Sequence, residues 1–300
     1  MKVVVAGGSG FIGRALRESL VAEGTETIVL SREAPREGEG FASWDARQPG
    51  AWIARMEGAD AVVNLAGASV AEGRWSAERK EELLGSRVCS TRALVRGMAW
   101  LSRRPKVFIC ASAVGYYGNR GSEELFEDSG AGGGFLSGLC AQWEKEALQA
   151  AELGVRTIHL RVGVVLHPEG GALPRMIAPF RIFFGGPLGS GAQWMSWIAR
   201  EDLIRLIRHL IGSRVAGPVN AVSPGPVTNL DFSRELGRAL RRPSWLKTPG
   251  ILLKGGLGEM ADELLLASQR AYPRRALESG FSFLYPELRG AFDAMLKPAP

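Results

Sequence analysis

The chain has 300 residues, of which 46% are hydrophobic and 23% charged, and its formal net charge is +6. This length and composition exclude a disordered or fibrous protein and allow one large or two modest globular domains. The basic excess predicts no nucleic-acid partner, because the basic residues are scattered and form no stripe with interleaved aromatic residues.

Composition also predicts where the protein works. Three cysteines without metal-ligand spacing indicate a reducing, cytoplasmic setting and no metal site. No targeting peptide is expected, since a strand begins within two residues of Met1. The longest apolar candidate, 176–188, contains Arg181, glycine and proline, so we predict a pocket wall or an interface there and no membrane partner.

The first predicted elements are a strand at 3–6, a glycine-rich turn and a helix, which together form the context of a dinucleotide-binding fingerprint. Gly7 permits a tight turn, Gly10 lets a pyrophosphate approach the backbone, and Gly13 lets the helix pack on the strand. The helix then directs free N–H groups and its positive dipole end at the phosphates. The cofactor-binding residues predicted here are Gly7, Gly8, Ser9, Gly10, Phe11, Ile12 and Gly13.

The second predicted strand, 27–30, ends in Ser31 and Arg32, where the group that recognises the adenosine ribose normally stands. An NAD-selective site places an acid there. A hydroxyl followed by a guanidinium suits a 2′-phosphate, because arginine donates hydrogen bonds in pairs to phosphate oxygens. We therefore predict NADP as the cofactor, although Glu33, next to Arg32, leaves NAD open.

The next elements continue as strands that alternate with helices. Further strands are predicted at 41–44, 61–67, 107–112 and 155–162. Helices are predicted at 52–56, after Ser76 and at 137–151. The residues expected to face the core from the helix after Ser76 are Leu84, Val88, Thr91 and Val95. Continuously apolar strands alternating with helices predict an α/β fold, a Rossmann-type doubly wound parallel sheet over residues 1–165.

Beyond residue 165 the alternation stops. One more strand of the sheet is predicted at about 218–222, and Thr228 is a predicted N-cap for a helix that ends near Leu240. We therefore predict a smaller, mostly helical C-terminal substrate or lid domain over 166–300. Its expected contacts to a small-molecule substrate are Arg175, Gln193 and Trp194. The alternative is that its tryptophans only pack the two lobes together.

Several motifs carry a family resemblance. The general ones are 7–13, Asn64-Leu65-Ala66-Gly67 and Tyr117-Gly118. The more specific ones are Ser86-Arg87, 113–118, Trp143-Glu144, 185–191, Trp197-Ile198 and 279–288. With these motifs the chain resembles the extended short-chain dehydrogenase/reductases of the nucleotide-sugar epimerase type. It is most similar to an atypical epimerase-like branch with a C-terminal domain of unknown function, sometimes labelled cell-division-inhibitor-like.

Further cofactor contacts follow from the position of the strands and from the resemblance. The segment Asn64, Leu65, Ala66 and Gly67 should pass beneath the nicotinamide half, where small residues permit close approach of the backbone. The resemblance implies that Glu82 and Arg87 touch the cofactor and that Val165 walls the nicotinamide pocket. For Glu82, an ordinary surface ion pair is the equally weighted alternative.

The chain departs from the resemblance at the reactive residues. The superfamily works through a serine, a tyrosine and a lysine four residues after the tyrosine. Ser112 stands at the expected place of the serine. Aligning Glu144 with the usual acid puts Leu136 and Cys140 at the tyrosine and lysine positions, and neither can transfer a proton or hold a ribose as those residues do.

Two hypotheses of function follow. In the first, an NADP(H)-dependent oxidoreductase or epimerase homologue acts on a small polar, sugar-like or carbonyl substrate. Its catalytic candidates are Ser112 and Tyr117, with Tyr116 also nearby, although a structural role for Tyr117 is the stronger alternative. In the second, the protein is a non-catalytic NADP(H)-binding sensor or scaffold. The sequence leaves the oligomeric state open.

Overall fold

The computed structural model describes residues 1–32 and 40–296. Its strands are β1 (Lys2–Ala6), β2 (Glu26–Ser31), β3 (Phe41–Ser43), β4 (Ala61–Asn64), β5 (Val107–Ala113), β6 (Glu124–Leu125), β7 (Arg156–Val162), β8 (Val164–His167), β9 (Gly170–Gly171), β10 (Trp194–Met195), β11 (Trp197–Ala199), β12 (Gly217–Ala221), β13 (Val227–Thr228) and β14 (Arg270–Ala271). Its α-helices are α1 (Phe11–Ala22), α2 (Ala77–Ala99), α3 (Phe135–Glu152), α4 (Leu173–Arg181), α5 (Arg200–Gly212), α6 (Asn229–Leu240), α7 (Gly250–Leu257), α8 (Arg274–Glu278) and α9 (Leu288–Met295).

Seven strands form one parallel sheet in the order β12-β7-β5-β4-β1-β2-β3. Strands β2 and β3 extend the sheet on one side of β1, and β4, β5, β7 and β12 extend it on the other, as in a doubly wound sheet. In register, Ala6 lies opposite Leu30 on one side and Asn64 on the other, so the turns that follow these strands meet at one edge. The predicted α/β fold is confirmed, and β12 is the predicted strand near 218–222.

Helices cover both faces of the sheet because its central strands are apolar on both sides. On one face, Val4, Val62 and Phe108 pack against α2 and α3. On the other face, Val5 and Ile109 pack against α1 and α5. Across residues 1–32 and 40–296, no helix is long and apolar enough to cross a bilayer.

The buried face of α2 differs from the prediction. Thr91 and Val95 are buried as expected, but Leu84 and Val88 are only half-buried, and Leu83 is buried instead. Leu84 still packs against the core on this face of the sheet, so it lies at the margin of the buried face and not outside it.

The predicted boundary at residue 165 is also corrected. Helices α5 and α8 lie beyond it, yet Leu203 and Ile207 of α5 and Ala276 of α8 belong to the core on the second face of the sheet. The separate C-terminal core is formed by α4, α6 and α9, with Trp197 at its centre. The residues beyond 165 therefore contribute to both cores. Helix α5 is part of the sheet layers because two parallel strands, such as β7 and β12, need a crossover helix between them.

Candidate functional site at the carboxyl edge of the sheet

The turn after β1 is packed so tightly that it admits only glycine at three positions. Gly7 has φ +78°, and a Cβ atom there would lie 2.8 Å from the carbonyl carbon of Leu65. At Gly13 a Cβ atom would lie 2.2 Å from the carbonyl oxygen of Gly7, and at Gly8 it would lie 2.8 Å from the side chain of Val29. These contacts bring α1 onto the end of β1, as the fingerprint predicts.

The N-terminus of α1 is open to a ligand. Gly10 is the N-cap, no side chain caps the helix, and the first turn contains no acid. A Cβ atom at Gly10 would meet only the carbonyl oxygen of Gly7, at 3.3 Å, so packing does not demand glycine there as strictly. Ser9 and Gly10 are exposed, whereas Phe11 and Ile12 are half-buried. The N–H groups of the first helical turn therefore remain available to an anion.

The end of β2 lies beside this turn, because β1 and β2 pair in register. Ser31 is buried and Arg32 is exposed. Glu33, which left NAD open, lies outside the described residues. The structure thus places a guanidinium at the edge where the ribose of an adenine dinucleotide would lie.

The turn after β4 is shaped by Asn64. Its side chain is fully buried, with Nδ2 donating to Thr91 Oγ1 at 2.9 Å and Oδ1 accepting from the N–H of Ala66 at 3.1 Å. Asn64 therefore holds the turn and does not reach into the cleft. Leu65 and Ala66 are half-buried beside Gly7, and Gly67 is exposed.

Arg87 lies directly under this turn. Its guanidinium donates to the carbonyl oxygens of Leu83 and Ala68 at 3.0 Å each, and it lies over the ring of Trp143. A Cβ atom at Gly67 would be 3.1 Å from the guanidinium carbon. Burial lowers the pKa of Arg87, because its partners are carbonyl oxygens and not carboxylates. A cation this poorly compensated is suited to an anionic ligand that passes over Gly67.

Glu82 and Val165 are placed differently. Glu82 is exposed and forms an ion pair with Arg79, which is the alternative that the sequence left open for it. Val165 is half-buried in β8, directly after the carboxyl end of β7, where it pairs with Ile198. Its position fits the predicted pocket wall.

Ser112 and the two residues at the usual tyrosine and lysine positions do come together. Leu136 packs against Gly115, and Cys140 lies against Ser112 and Ala113, where α3 crosses the end of β5. Burial raises the pKa of the Cys140 thiol to about 11. The thiol is therefore neutral at physiological pH and cannot replace the cation of a lysine.

Ser112 is connected to a buried ion pair. Its hydroxyl donates to Glu144 Oε1 at 2.7 Å, and Glu144 accepts two hydrogen bonds from Arg161, each at 2.9 Å. Because the Ser112 proton is used in this bond, the hydroxyl is oriented to accept a hydrogen bond from a ligand and not to donate one.

The surroundings of Tyr117 favour the structural role, which the sequence already gives as the stronger alternative. Its side chain is fully buried, and its hydroxyl lies 2.7 Å from Asn220 Oδ1, 3.0 Å from the Phe126 carbonyl oxygen and 3.0 Å from Arg161 Nη1. Burial raises its pKa to about 12. Tyr116 is half-buried with its ring 3.6 Å from the Arg161 guanidinium carbon, and its hydroxyl has no hydrogen-bond partner within the described part of the chain.

The predicted substrate residues do not converge. Arg175 is exposed and donates to the carbonyl oxygen of Ala71 at 2.7 Å, while Trp194 stacks on Arg270 at 4.3 Å. Gln193 is buried, and its Nε2 donates to the carbonyl oxygens of Leu188 and Leu265. Only Gln193 borders the nearby groove of about 520 Å³, which the sequence analysis missed. Ser190, Lys247 and Lys254 also line this groove.

Glu263 is the other functional residue that the sequence analysis missed. From the C-terminal part of the chain, its carboxylate accepts hydrogen bonds from the N–H groups of Phe135 and Leu136, at 2.6 and 2.7 Å. It thus caps α3, the helix that carries Leu136 and Cys140. No local pattern could reveal this contact, because the partners are 128 and 127 residues apart.

Comparison with known proteins agrees with this geometry. Residues 3–222 match the NAD-dependent epimerase/dehydratase family, and 248–295 match a domain of unknown function, DUF1731. The chain belongs to the NAD-dependent epimerase/dehydratase family. Among its relatives, an epimerase family protein of Mycobacterium bovis is 40% identical over 282 residues, which cover 94% of this chain and 93% of the relative. The epimerase family protein YfhF of Bacillus subtilis is 37% identical, covering 99% and 98% of the two chains.

A solved structure of this epimerase family has the same fold over its whole length. The crystal structure of the human epimerase family protein SDR39U1 with NADPH is 34% identical and superposes with a TM-score of 0.90, covering 100% of both chains. The predicted resemblance and the predicted fold are therefore confirmed.

Proposed function

We propose that this chain binds NADP(H) along the carboxyl edge of its sheet. The observation that carries this proposal is the turn after β1, where Gly7, Gly8 and Gly13 have no room for a side chain and the helix that follows is uncapped. Such a turn exposes backbone donors to a pyrophosphate. Arg32 and Arg87 supply positive charge near the two ends of the cleft. The human relative that was crystallised with NADPH supports the same cofactor.

The choice of NADP(H) over NAD(H) depends on Arg32. In our proposal its guanidinium donates to the 2′-phosphate, and NADH offers no such acceptor. Replacing Arg32→Ala should weaken NADPH binding roughly tenfold to hundredfold, the range expected for a charged hydrogen-bonded pair. NADH binding should change little. Calorimetry on both cofactors measures this, with the exposed Arg55→Ala as the control. Equal losses for NADPH and NADH would refute the assignment.

We further propose that the protein is an oxidoreductase or isomerase acting on a small polar substrate, sugar-like or carbonyl-containing. When bound, NADP(H) supplies or accepts the hydride. Ser112 would accept the proton of a substrate hydroxyl while its own proton passes to Glu144, and carbonyl reduction would reverse this relay. Leu136 and Cys140 keep water from the reacting carbon. Val165 walls the nicotinamide side. Three free cysteines, Cys89, Cys110 and Cys140, favour the reducing cytoplasm as its location.

The non-catalytic sensor is a second candidate, and it rests on a specific observation. Three protic groups at the end of β5 are engaged or neutral: Ser112 donates to Glu144, Tyr117 is enclosed, and the Cys140 pKa is raised. Screening carbonyl compounds and nucleotide sugars for loss of NADPH absorbance distinguishes the two. Turnover that falls in Ser112→Ala, with NADPH affinity retained, identifies an enzyme. Saturable NADPH binding without turnover of any compound identifies a sensor.

A further inference from the structure

Six large apolar side chains are exposed on two adjacent segments of the C-terminal part of the chain. They are Ile182, Phe183, Phe184, Trp245, Ile251 and Leu252, each between 57% and 83% exposed, and we call them the apolar tip. Exposed apolar residues that occur singly are normal, but a cluster of this size indicates a contact surface.

The two segments lie side by side. The N–H of Leu246 donates to the carbonyl oxygen of Gly185, and Leu188 forms a parallel bridge with Thr248. Arg242 lies 4.7 Å from the ring centre of Phe183. Helix α7 begins two residues after Thr248, and none of its residues is buried, although most are apolar. The packing within this chain therefore does not account for the apolar character of the tip and of α7.

The backbone at Phe183 supports the same conclusion. Helix α4 ends at Arg181, and Phe183 follows the C-cap with φ +65°. Glycine is the usual residue at this position, because a side chain strains the left-handed conformation. Apart from its contact with Arg242, the exposed ring of Phe183 gains little within the chain to offset this strain. This is consistent with a contact made outside the chain.

The charged residues within the two segments of the apolar tip are of one sign. The segments 181–188 and 241–254 contain five basic residues and no acidic one. The basic residues are Arg181, Arg241, Arg242, Lys247 and Lys254. Lys254 pairs with Asp262, so four of the five add their full charge to the rim of the apolar tip.

These features together indicate what kind of surface the apolar tip contacts. A second copy of the chain, docked by two-fold symmetry, would place the basic rims against one another, which opposes association. Ile251 borders the groove beside Gln193, but the other five apolar side chains of the tip do not line it, whereas protein partners anchor in packed pockets. Protruding aromatic and aliphatic residues with a lysine and arginine rim match the headgroup region of an anionic bilayer.

We propose that the apolar tip docks the protein reversibly on an anionic phospholipid surface. The tip inserts among the acyl-chain boundaries while its basic rim contacts lipid phosphates. This revises the expectation of no membrane partner, which considered only segments long enough to span a bilayer. The site of NADP(H) binding plays no part in this proposal.

Sedimentation with vesicles tests it. The intact protein should pellet with vesicles of phosphatidylcholine mixed with phosphatidylglycerol, but not with phosphatidylcholine alone, and binding should weaken as salt rises. Trp245→Ser should bind at least about tenfold more weakly. The control Trp100→Ser replaces a tryptophan that is 69% exposed, against 74% for Trp245, but lies outside the tip. It should bind as the parent does.

Charge gives an independent variant. Lys247→Glu should weaken binding to the anionic vesicles about fivefold or more, while Lys145→Glu, on the exposed face of α3, should not. The proposal is overturned by no pelleting with either vesicle, by equal pelleting with both, or by equal effects of each variant and its control. A dimer in sedimentation velocity that Trp245→Ser dissociates would also overturn it, because the tip would then be a self-interface.

Discussion

At the scale of single residues, two adjacent tyrosines have opposite surroundings. The hydroxyl of Tyr117 is bonded to Asn220, Phe126 and Arg161, whereas that of Tyr116 is free of such bonds among the described residues. Distance along the sequence does not distinguish the two tyrosines, since both follow Ser112 closely. The difference arises from Asn220, which is 103 residues from Tyr117 and reaches it only through the pairing of β12 with β7.

Removing the Tyr117 hydroxyl should therefore affect stability and not chemistry. Tyr117→Phe leaves Asn220 Oδ1 without its buried donor, while Arg161 Nη1 keeps its bond to the carbonyl oxygen of Glu127. The free energy of unfolding should therefore fall by about 1–3 kcal/mol. Tyr116→Phe, the matched control, should change stability little. Urea unfolding of both variants measures this. If Tyr117→Phe kept its stability and abolished a turnover that Tyr116→Phe retained, Tyr117 would be catalytic after all.

The same limit applies to the side-chain amides of Asn64 and Gln193. The sequence predicts both near the carboxyl edge, and in the structure their amides point to Thr91 and to the carbonyl oxygen of Leu265. A sequence pattern specifies which element a residue belongs to, and long-range contacts decide which way its amide points. The glycine turn was predictable in detail because all its contacts are made within one strand, one turn and one helix.

At the scale of elements, the predictions succeeded where the signal is local. Thr228 caps α6 as expected, accepting from the N–H of Asp231. The predicted strands have boundaries within a few residues of β4, β5 and β7. The cap of α3 could not be predicted in this way, because its N-cap is Gly134 and the carboxylate comes from Glu263.

Glu263 connects the C-terminal domain of unknown function to the helix behind the cleft, and its loss should be costly. Glu263→Ala removes a charged acceptor from two N–H groups at a helix N-terminus, so we expect a loss of about 1–3 kcal/mol in unfolding free energy. Glu259→Ala breaks only the surface ion pair with Lys80 and should cost less than about 1 kcal/mol. Thermal unfolding compares the two variants. Equal losses of unfolding free energy would show that the cap on α3 stabilises the protein no more than a surface ion pair does.

Glu127 links β12 to α8 and makes stability depend on pH. Its Oε1 accepts from the N–H groups of Asn220 and Arg275, its Oε2 is buried without a partner, and burial raises its pKa above 4.5. The folded state therefore retains a proton that the unfolded state loses. This contribution is fully present below pH 4.5 and declines as pH rises through the raised pKa of the folded state.

Replacing Glu127→Gln should remove this decline, so the variant should gain stability relative to the parent as pH rises above 4.5. Neighbouring Asp128 gives the opposite sign, since Arg274 lowers its pKa and its small stabilising effect is lost as pH falls. Asp128→Asn therefore serves as the control. Urea unfolding across this pH range measures both, and a Glu127→Gln difference that stays constant with pH would contradict the assignment.

At the scale of the whole molecule, different parts of the chain form the proposed cofactor site and the proposed membrane contact. The carboxyl edge of the sheet gathers the uncapped helix α1, Arg32 and the turn over Arg87. The C-terminal part contributes a core of its own, the cap on α3 and the apolar tip. The division at residue 165, with one further strand near 218–222, was too simple because α5 and α8, which follow it in sequence, also belong to the core on the sheet.

The central claim is that this carboxyl edge forms a cradle for a 2′-phosphorylated dinucleotide. Calorimetric titration of the intact protein with NADPH and then with NADH tests it most directly. We predict saturable binding of NADPH at one site per chain, at least about tenfold tighter than that of NADH. Absence of heat with both cofactors, or equal affinities for them, would contradict the claim.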